Sequence, residues 1–362
     1  MKELMLKLFD HCIPVKGFTR SIICDTQRNQ FDFIPNALFD ILSKDQGKTA
    51  NEIKSNYTRN QIEIIDDYLT FLENKNYVFW TSEPHLFPDI DRSFETPSVI
   101  TNAIIEAGQY LLKNIDSIID QLDDLGCKAL EIRAYNPIDF EDIEKITSAS
   151  SLSKIRTIHI ILKHNEHISS SQYKSLHEMN PRIRSICIHS SPEDRQESLD
   201  FSGNLTLSFT STTVSSEKCC GLIHPNYFTP NLHALIESQE NNSCLNRKVA
   251  ITQQGNITNC PSMNHSFGCI ETKTIRDVVT EDEFQSMWRI RKDQVKVCQD
   301  CEFRHICTDC RAYVEDPEDL HSKPLKCGYD PYNGKWEDWS ANPLKQKAIE
   351  YYDLKTITEQ VS

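Results

Sequence analysis

Apolar and polar residues alternate at the start of the chain and then change to helical spacing. The alternation predicts short strands with a turn at Gln27-Arg28-Asn29-Gln30, and the later spacing predicts three helices and a closing strand. The expected strands lie at residues 13–16, 20–25, 31–34 and 76–80, and the expected helices at 37–42, 50–57 and 60–72. This order predicts a winged-helix-like domain over residues 1–82. The acidic third helix, with Glu63, Asp66, Asp67 and Glu73, argues against duplex DNA as its ligand.

From residue 98 the pattern becomes a repeat of buried strand and amphipathic helix. Such repeats indicate βα units and a parallel sheet. Strands are expected at residues 99–105, 129–134, 155–162, 182–189 and 205–209, with helices at 111–125, 140–149 and 171–179. A closed eight-stranded barrel requires roughly 200 residues or more. Residues 96–215 are therefore expected to form a partial β/α barrel with an open parallel sheet, and the chain as a whole is assigned to the α/β class.

Composition narrows the possible functions. The chain has 362 residues with 53 acidic and 39 basic side chains, a net charge of −14, which argues against a nucleic-acid partner. No apolar run approaches the ~18 residues of a membrane helix. The first residues also lack the features of a signal peptide. We therefore expect a cytoplasmic protein with no membrane partner.

Cysteine is concentrated in the last part of the chain. The 14 cysteines include four in residues 1–218 and ten in residues 219–327. In a reducing compartment, clustered cysteines indicate metal ligands rather than disulfides. A predicted hairpin around Gly255 returns Cys260 towards Cys244. The pairs Cys298/Cys301 and Cys307/Cys310 each have the two-residue spacing that directs two sulfurs at one metal centre. Zinc and iron–sulfur clusters both accept four thiolates, and the spacing alone favours zinc, because Cys-x2-Cys pairs are its commonest signature.

The complete pattern, Cys-x10-Gly-x4-Cys followed by Cys-x2-Cys-x5-Cys-x2-Cys and a last cysteine, resembles the SPASM domain of radical-SAM peptide maturases. The resemblance covers about residues 244–327, within an expected cysteine-rich metal domain at 240–335. One difference is that the last pair, Cys307 and Cys310, has two residues between its cysteines, where the family usually has three. The resemblance implies one or two [4Fe-4S] clusters, with zinc as the alternative. It assigns Cys298, Cys301, Cys307 and Cys327 to one cluster, and Cys244, Cys260 and Cys310 to the other. Cys269 is the nearest candidate for the fourth ligand of the second site, and Cys219 or Cys220 is the alternative.

A radical-SAM enzyme also needs a Cys-x3-Cys-x2-Cys triad, and the sequence contains none. We therefore expect no S-adenosylmethionine cleavage.

Over nearly its full length the chain resembles the SPASM-domain peptide maturase of grasp-with-spasm systems. The resemblance rests on residues 14–23, 27–29 and 31–36 and on Asp309-Cys310-Arg311. It implies two partners, a ribosomal precursor peptide and an ATP-grasp ligase, and it implies that the N-terminal domain recognises the precursor. A peptide could add as a strand to the edge of the N-terminal hairpin. The residues expected to contact it are Ile22, Ile23, Phe31, Phe33 and Ile65.

The function expected from these observations is that of a maturation factor for a ribosomally synthesised peptide. It would bind the precursor leader and act with the ligase. One alternative is a redox or thiol enzyme that uses auxiliary iron–sulfur clusters. A second alternative is a zinc-stabilised winged-helix regulator. The sequence leaves open whether the chain is itself catalytic.

Overall fold

The computed structural model describes residues 3–198 and 205–357. Its strands are β1 (Met5–Leu8), β2 (Cys12–Val15), β3 (Ser21–Asp25), β4 (Gln30–Ile34), β5 (Val78–Thr81), β6 (Asn102–Glu106), β7 (Ala129–Ala134), β8 (Thr157–Lys163), β9 (Ile183–His189), β10 (Arg195–Ser198), β11 (Thr206–Phe209), β12 (Lys248–Ile251), β13 (Ile257–Thr258), β14 (Tyr329–Asp330) and β15 (Lys335–Trp336). Its α-helices are α1 (Asn36–Lys44), α2 (Ala50–Ser55), α3 (Arg59–Asn74), α4 (Gln109–Asp124), α5 (Phe140–Ala149), α6 (Ser170–Met179), α7 (Leu232–Glu240), α8 (Ile275–Val279), α9 (Asp282–Ser286) and α10 (Gln346–Tyr351).

The centre of the molecule is an eight-stranded sheet in the order β10-β11-β9-β8-β7-β6-β12-β13. Strands β6 to β9, β11 and β12 pair in parallel, and the two outer pairs are antiparallel. Helices α4, α5 and α6 form the crossovers, and their apolar stripes bury Ile115, Ile143 and Leu176 in the main core. The architecture is mixed α/β with an open, mostly parallel sheet, consistent with the expected partial barrel.

The cysteine-rich part of the chain contributes to this sheet. Strand β12 pairs in parallel with β6, with Lys248 opposite Asn102, and β13 extends the same edge. The sheet therefore crosses the boundary expected between residues 96–215 and 240–335, which does not separate two structural units. Local sequence patterns could not show this, because the partners are far apart along the chain.

The three-stranded sheet β2-β3-β4 near the N-terminus is covered on both faces. On one face Ile23 and Ile34 pack with helices α1 to α3. On the other face Ile22 and Cys24 pack against the cysteine-rich region, including Phe303. All five residues of the central strand β3 are consequently buried. Strands β1 and β5 form a separate antiparallel pair beside this sheet.

Residues 274–291 have a sequence that indicates one helix, but the structure divides this segment into short pieces. Helix α8 ends at Val279 and α9 begins at Asp282. The Thr280 hydroxyl donates to the carbonyl oxygens of Arg276 and Asp277, and Glu281 has extended backbone angles. The division lets both pieces bury apolar side chains in the main core, which a straight helix would not allow.

Within residues 3–198 and 205–357, no helix has the length and apolar character needed to cross a membrane.

Candidate metal centres

The hairpin between β12 and β13 places Cys260 beside Cys244, as the spacing predicts. Gly255 forms the turn with a φ of +79°, a conformation that glycine adopts without strain. A Cβ atom at Gly255 would also lie 2.3 Å from the Tyr110 ring. This position thus requires glycine both for the turn and for the close packing of Tyr110, so the turn explains only part of the glycine requirement.

Four cysteines line one cavity next to the N-terminal domain. The first quartet consists of Cys298, Cys301, Cys307 and Cys327. Phe228, Phe303 and Trp336 form apolar parts of the cavity wall. The Cys301 N–H donates to the Cys298 carbonyl oxygen at 3.0 Å in a 3₁₀ turn. The turn brings the two thiols of this Cys-x2-Cys pair to one cavity.

A second group of cysteines lies next to the central sheet, where Arg133 of β7 and Lys248 of β12 contact two of its sulfurs. The second quartet consists of Cys220, Cys244, Cys260 and Cys310, which lie within electrostatic range of one another. A parallel bridge between Ile223 and Cys327 brings the segment that carries Cys220 to this place. Gly221 has a φ of +88°, and a Cβ there would lie 2.9 Å from the Cys310 sulfur. Glycine thus allows the backbone after Cys220 to pack directly on Cys310.

Cys269 belongs to a different environment. Its sulfur lies 3.6 Å from the Tyr110 hydroxyl, and its backbone bridges to Asn256. The structure therefore assembles the second quartet with Cys220 and not with Cys269, the nearest candidate in the sequence. Sequence proximity is a poor guide here because Cys220 arrives through a long-range backbone pairing. The glycine directly after Cys220 was the feature of the sequence that could have indicated Cys220 as a member of this quartet.

Five of the eight quartet cysteines are buried, the other three (Cys220, Cys244 and Cys301) are partly exposed, and each quartet contacts a lysine. Burial raises the pKa of the Cys298 and Cys310 thiols to about 12. The Lys292 ammonium donates to the Cys307 sulfur at 3.2 Å, and the Lys248 ammonium donates to the Cys244 sulfur at 3.5 Å. Several buried thiols become stable as thiolates when a metal centre takes the place of their protons. Both quartets thus have the chemistry of metal ligands.

The ligand set of each quartet is compatible with a metal centre. Among the residues that the structure describes, the one group with three ligand atoms within 4.8 Å of one another is His11, Cys12 and Asp25. No three sulfurs of a quartet are therefore that close together. Zinc and [4Fe-4S] clusters both take four thiolates, so the residues of each quartet fit either one.

The compact group at His11 has a structural explanation. The Asp25 carboxylate accepts hydrogen bonds from the backbone N–H groups of Gln27 and Arg28 and forms an ion pair with Arg28 at 2.9 Å. Its lone pairs are therefore used in the turn between β3 and β4.

A buried polar network connects the loops of the two quartets. The Asn242 side chain accepts from the backbone N–H groups of Cys244 and Leu245 and donates to Asp309 at 2.9 Å. Asp309 forms an ion pair of 2.7 Å with Arg311, and both side chains are fully buried. This network fixes the Cys244 loop relative to the segment that contains Cys307 and Cys310.

The N-terminal loop, residues 16–20, docks on the first quartet. The Phe18 N–H donates to the Asp300 carbonyl oxygen at 2.8 Å, and Arg20 forms an ion pair of 2.8 Å with the buried Glu302. A Cβ at Gly17 would lie 2.8 Å from the Glu302 Cβ. Residues 16–20 are part of segment 14–23, on which the family resemblance rests. These residues thus attach the N-terminal domain to the cysteine-rich region.

The five residues expected to bind a peptide do not line one groove. Ile23 and Ile65 are core residues of the N-terminal domain, and Ile22 is buried against the cysteine-rich region. Phe31 packs on the same interface, whereas Phe33 is 47% exposed. The structure therefore does not bring these five residues together in one groove, because both faces of the sheet are covered.

Polar residues at the carboxyl ends of β6 and β7 were missed in the sequence. The Tyr135 hydroxyl donates to Glu106 at 2.8 Å, and the Gln253 N–H donates to the same carboxylate at 3.2 Å. Burial raises the pKa of Glu106. Arg133 donates to the Cys220 sulfur at 3.9 Å and so connects these strand ends to the second quartet. A polar residue that ends a buried parallel strand is the signal that could have identified them.

Comparisons with known proteins give the following similarities. The solved structure of Streptococcus suis SuiB bound to S-adenosylmethionine is 12% identical with a TM-score of 0.35, covering 88% of this chain and 98% of that one. SuiB bound to precursor peptide SuiA is 14% identical with a TM-score of 0.35, covering 85% and 96%. No curated protein matches the chain. Residues 243–302, which contain five of the cysteines discussed above, match the family model SPASM, an iron-sulfur cluster-binding domain.

Proposed function

We propose that this chain is a maturation factor for a ribosomally synthesised peptide. It binds the precursor leader at its N-terminal domain and holds two [4Fe-4S] clusters in its C-terminal third. The assembly of two separate cysteine quartets, with five of the eight cysteines buried, is the observation that carries this proposal. Cys298, Cys301, Cys307 and Cys327 hold one cluster, and Cys220, Cys244, Cys260 and Cys310 hold the other. Bound clusters supply one-electron redox chemistry. Because the quartet loops contain little regular secondary structure, the clusters also stabilise the fold.

The resemblance to grasp-with-spasm maturases supports the choice of partners. We propose an ATP-grasp ligase as the protein partner and assign the N-terminal domain, with its sheet and three helices, to a winged-helix-like precursor-recognition role. The ligase, the grasp-with-spasm subtype and the domain assignment 1–82 are parts of this proposal.

The edge of β4 is the available site for the leader. An extended peptide can pair with an exposed strand edge through backbone hydrogen bonds, and its alternate side chains give selectivity. On one side of this edge, Phe33 stacks under Arg20 at 3.6 Å. On the other side, Asp32 forms an ion pair with Lys75 and accepts from Tyr77. A leader strand would thus place one set of side chains near an aromatic surface and the other near a charged one.

Replacing Phe33 with serine is expected to weaken leader binding by about tenfold, because truncating a central aromatic contact commonly costs more than 1 kcal/mol. Tyr351→Ser is the matched control, since Tyr351 is 70% exposed and lies on a different surface. Calorimetry with the full chain and a synthetic leader from the neighbouring precursor gene measures both. The full chain is required because residues 1–82 alone would expose Ile22 and Cys24.

Strand addition has its own signature. A strand uses the backbone N–H of every second residue to pair with one neighbour. Leader peptides N-methylated one position at a time should therefore lose binding with a period of two. Uniform tolerance of N-methylation, or equal effects of the Phe33 and Tyr351 variants, would show that the leader binds elsewhere.

S-adenosylmethionine cleavage is not expected from this chain. The sequence has no Cys-x3-Cys-x2-Cys triad to supply the cluster that chelates this cofactor. Anaerobic incubation with dithionite and S-adenosylmethionine should yield no 5′-deoxyadenosine, with or without precursor, by liquid chromatography. Sustained formation of that product, in proportion to protein, would contradict the proposal.

A second candidate function is a cluster-dependent redox or thiol enzyme. The observation that favours it is the link from Cys220 through Arg133 to the carboxyl ends of the parallel strands, where the buried Glu106–Tyr135 pair lies. The two functions differ in their dependence on a ligase. Modification of the precursor by ligase only when this chain is present supports the maturation factor, and modification by this chain alone supports the enzyme.

A further inference from the structure

Each quartet has its own lysine. Lys292 is 3% exposed, and its ammonium donates to the Cys307 sulfur at 3.2 Å and to the Thr308 carbonyl oxygen at 3.3 Å. Lys248 donates to the Cys244 sulfur at 3.5 Å. Burying an ammonium is costly unless a negative charge compensates it. The thiolates of each quartet supply that charge, so the two lysines are arranged for negatively charged centres.

Each quartet also has a second buried ammonium, which is held by a backbone carbonyl group. Lys326 donates to the Cys220 carbonyl oxygen at 2.7 Å, and Lys345 donates to the Cys327 carbonyl oxygen at 2.6 Å. Among the described residues, Lys292 and Lys248 are the lysines whose ammonium groups donate to a quartet sulfur.

We propose that Lys292 raises the reduction potential of the first cluster and that Lys248 raises that of the second. The inference rests on the proposed presence of two clusters. Reduction adds one negative charge to a cluster. A hydrogen-bonded cation in a low-dielectric interior stabilises that charge and raises the potential. Each lysine therefore favours the reduced form of its own cluster.

The test is an anaerobic redox titration monitored by electron paramagnetic resonance on the full chain and two variants. Lys292→Met should lower the midpoint potential of one cluster, and Lys248→Met should lower that of the other. Each equilibrium constant for reduction should fall by about tenfold, which corresponds to 59 mV for a one-electron couple.

Controls separate the inference from the proposed function. Lys113→Met removes a lysine that is 75% exposed and should shift neither cluster. If a methionine variant does not fold, the glutamine variant, which keeps a donor without the charge, is titrated and should also show a lowered potential. Variants with full iron content and unchanged potentials would overturn the inference while the clusters stand. Absence of iron from the unmodified protein would overturn both.

Discussion

Replacing Cys307 with alanine is expected to remove one of two clusters and halve the iron content, from about eight to about four ions per chain. The reason is that Cys307 and its three partners line one cavity, separate from the second quartet. Cys220→Ala should cause an equal loss at the second site. Iron and acid-labile sulfide measured after anaerobic desalting report both effects.

Cys269→Ala is the matched control for these variants. Cys269 contacts Tyr110 rather than the second quartet, so this variant should keep its full iron content. Loss of iron from Cys269→Ala with none from Cys220→Ala would reverse the ligand assignment.

A change that leaves every ligand in place tests the second quartet independently. Gly221→Ala should lose the second cluster, because its Cβ would lie 2.9 Å from the Cys310 sulfur. Gly47→Ala has a similar φ of +79° but no neighbouring atom within 4 Å, so it should keep both clusters.

The second large effect is expected at the buried ion pair between Asp309 and Arg311. Asp309→Ala should lower the free energy of unfolding by about 3–5 kcal/mol, because it leaves the Arg311 guanidinium buried without a carboxylate. Remaining contacts of Arg311 with the carbonyl oxygens of Leu320 and Ser322, both at 2.8 Å, do not neutralise its charge. Denaturant unfolding under anaerobic conditions measures the change.

An exposed ion pair of similar length provides the control. Asp282 and Arg289 are 2.6 Å apart, with side chains 86% and 57% exposed. Asp282→Ala should cost at most about 1 kcal/mol, as is usual for surface pairs. Equal midpoints for Asp309→Ala and Asp282→Ala would show that the buried network does not stabilise the cysteine-rich region.

Local sequence patterns predicted the strands, helices and hairpins that depend only on neighbouring residues. The strand at residues 129–134 and the helix at 140–149 have the predicted bounds, because each is specified by its own apolar periodicity. The hairpin between Cys244 and Cys260 follows from Gly255 in the same way. These features determine their own backbone conformation, so neighbouring residues are sufficient to predict them.

The features that the sequence did not predict depend on distant partners. Cys220 reaches its quartet through the bridge between Ile223 and Cys327, and β12 joins the sheet through β6. Arg20 is committed to Glu302 at the other end of the chain. In each case the residue type is compatible with several environments, and tertiary pairing selects one of them. The burial of Ile22 could not be predicted for the same reason, since the segment that covers it is distant in sequence.

The most direct test of the account is the metal and sulfide content of the unmodified full chain, purified without oxygen and characterised by Mössbauer spectroscopy. Two [4Fe-4S] clusters predict about eight iron ions and eight sulfides per chain, with spectra of cubane clusters. About two zinc ions per chain, without iron or sulfide, would contradict the account and leave a zinc-stabilised domain in its place.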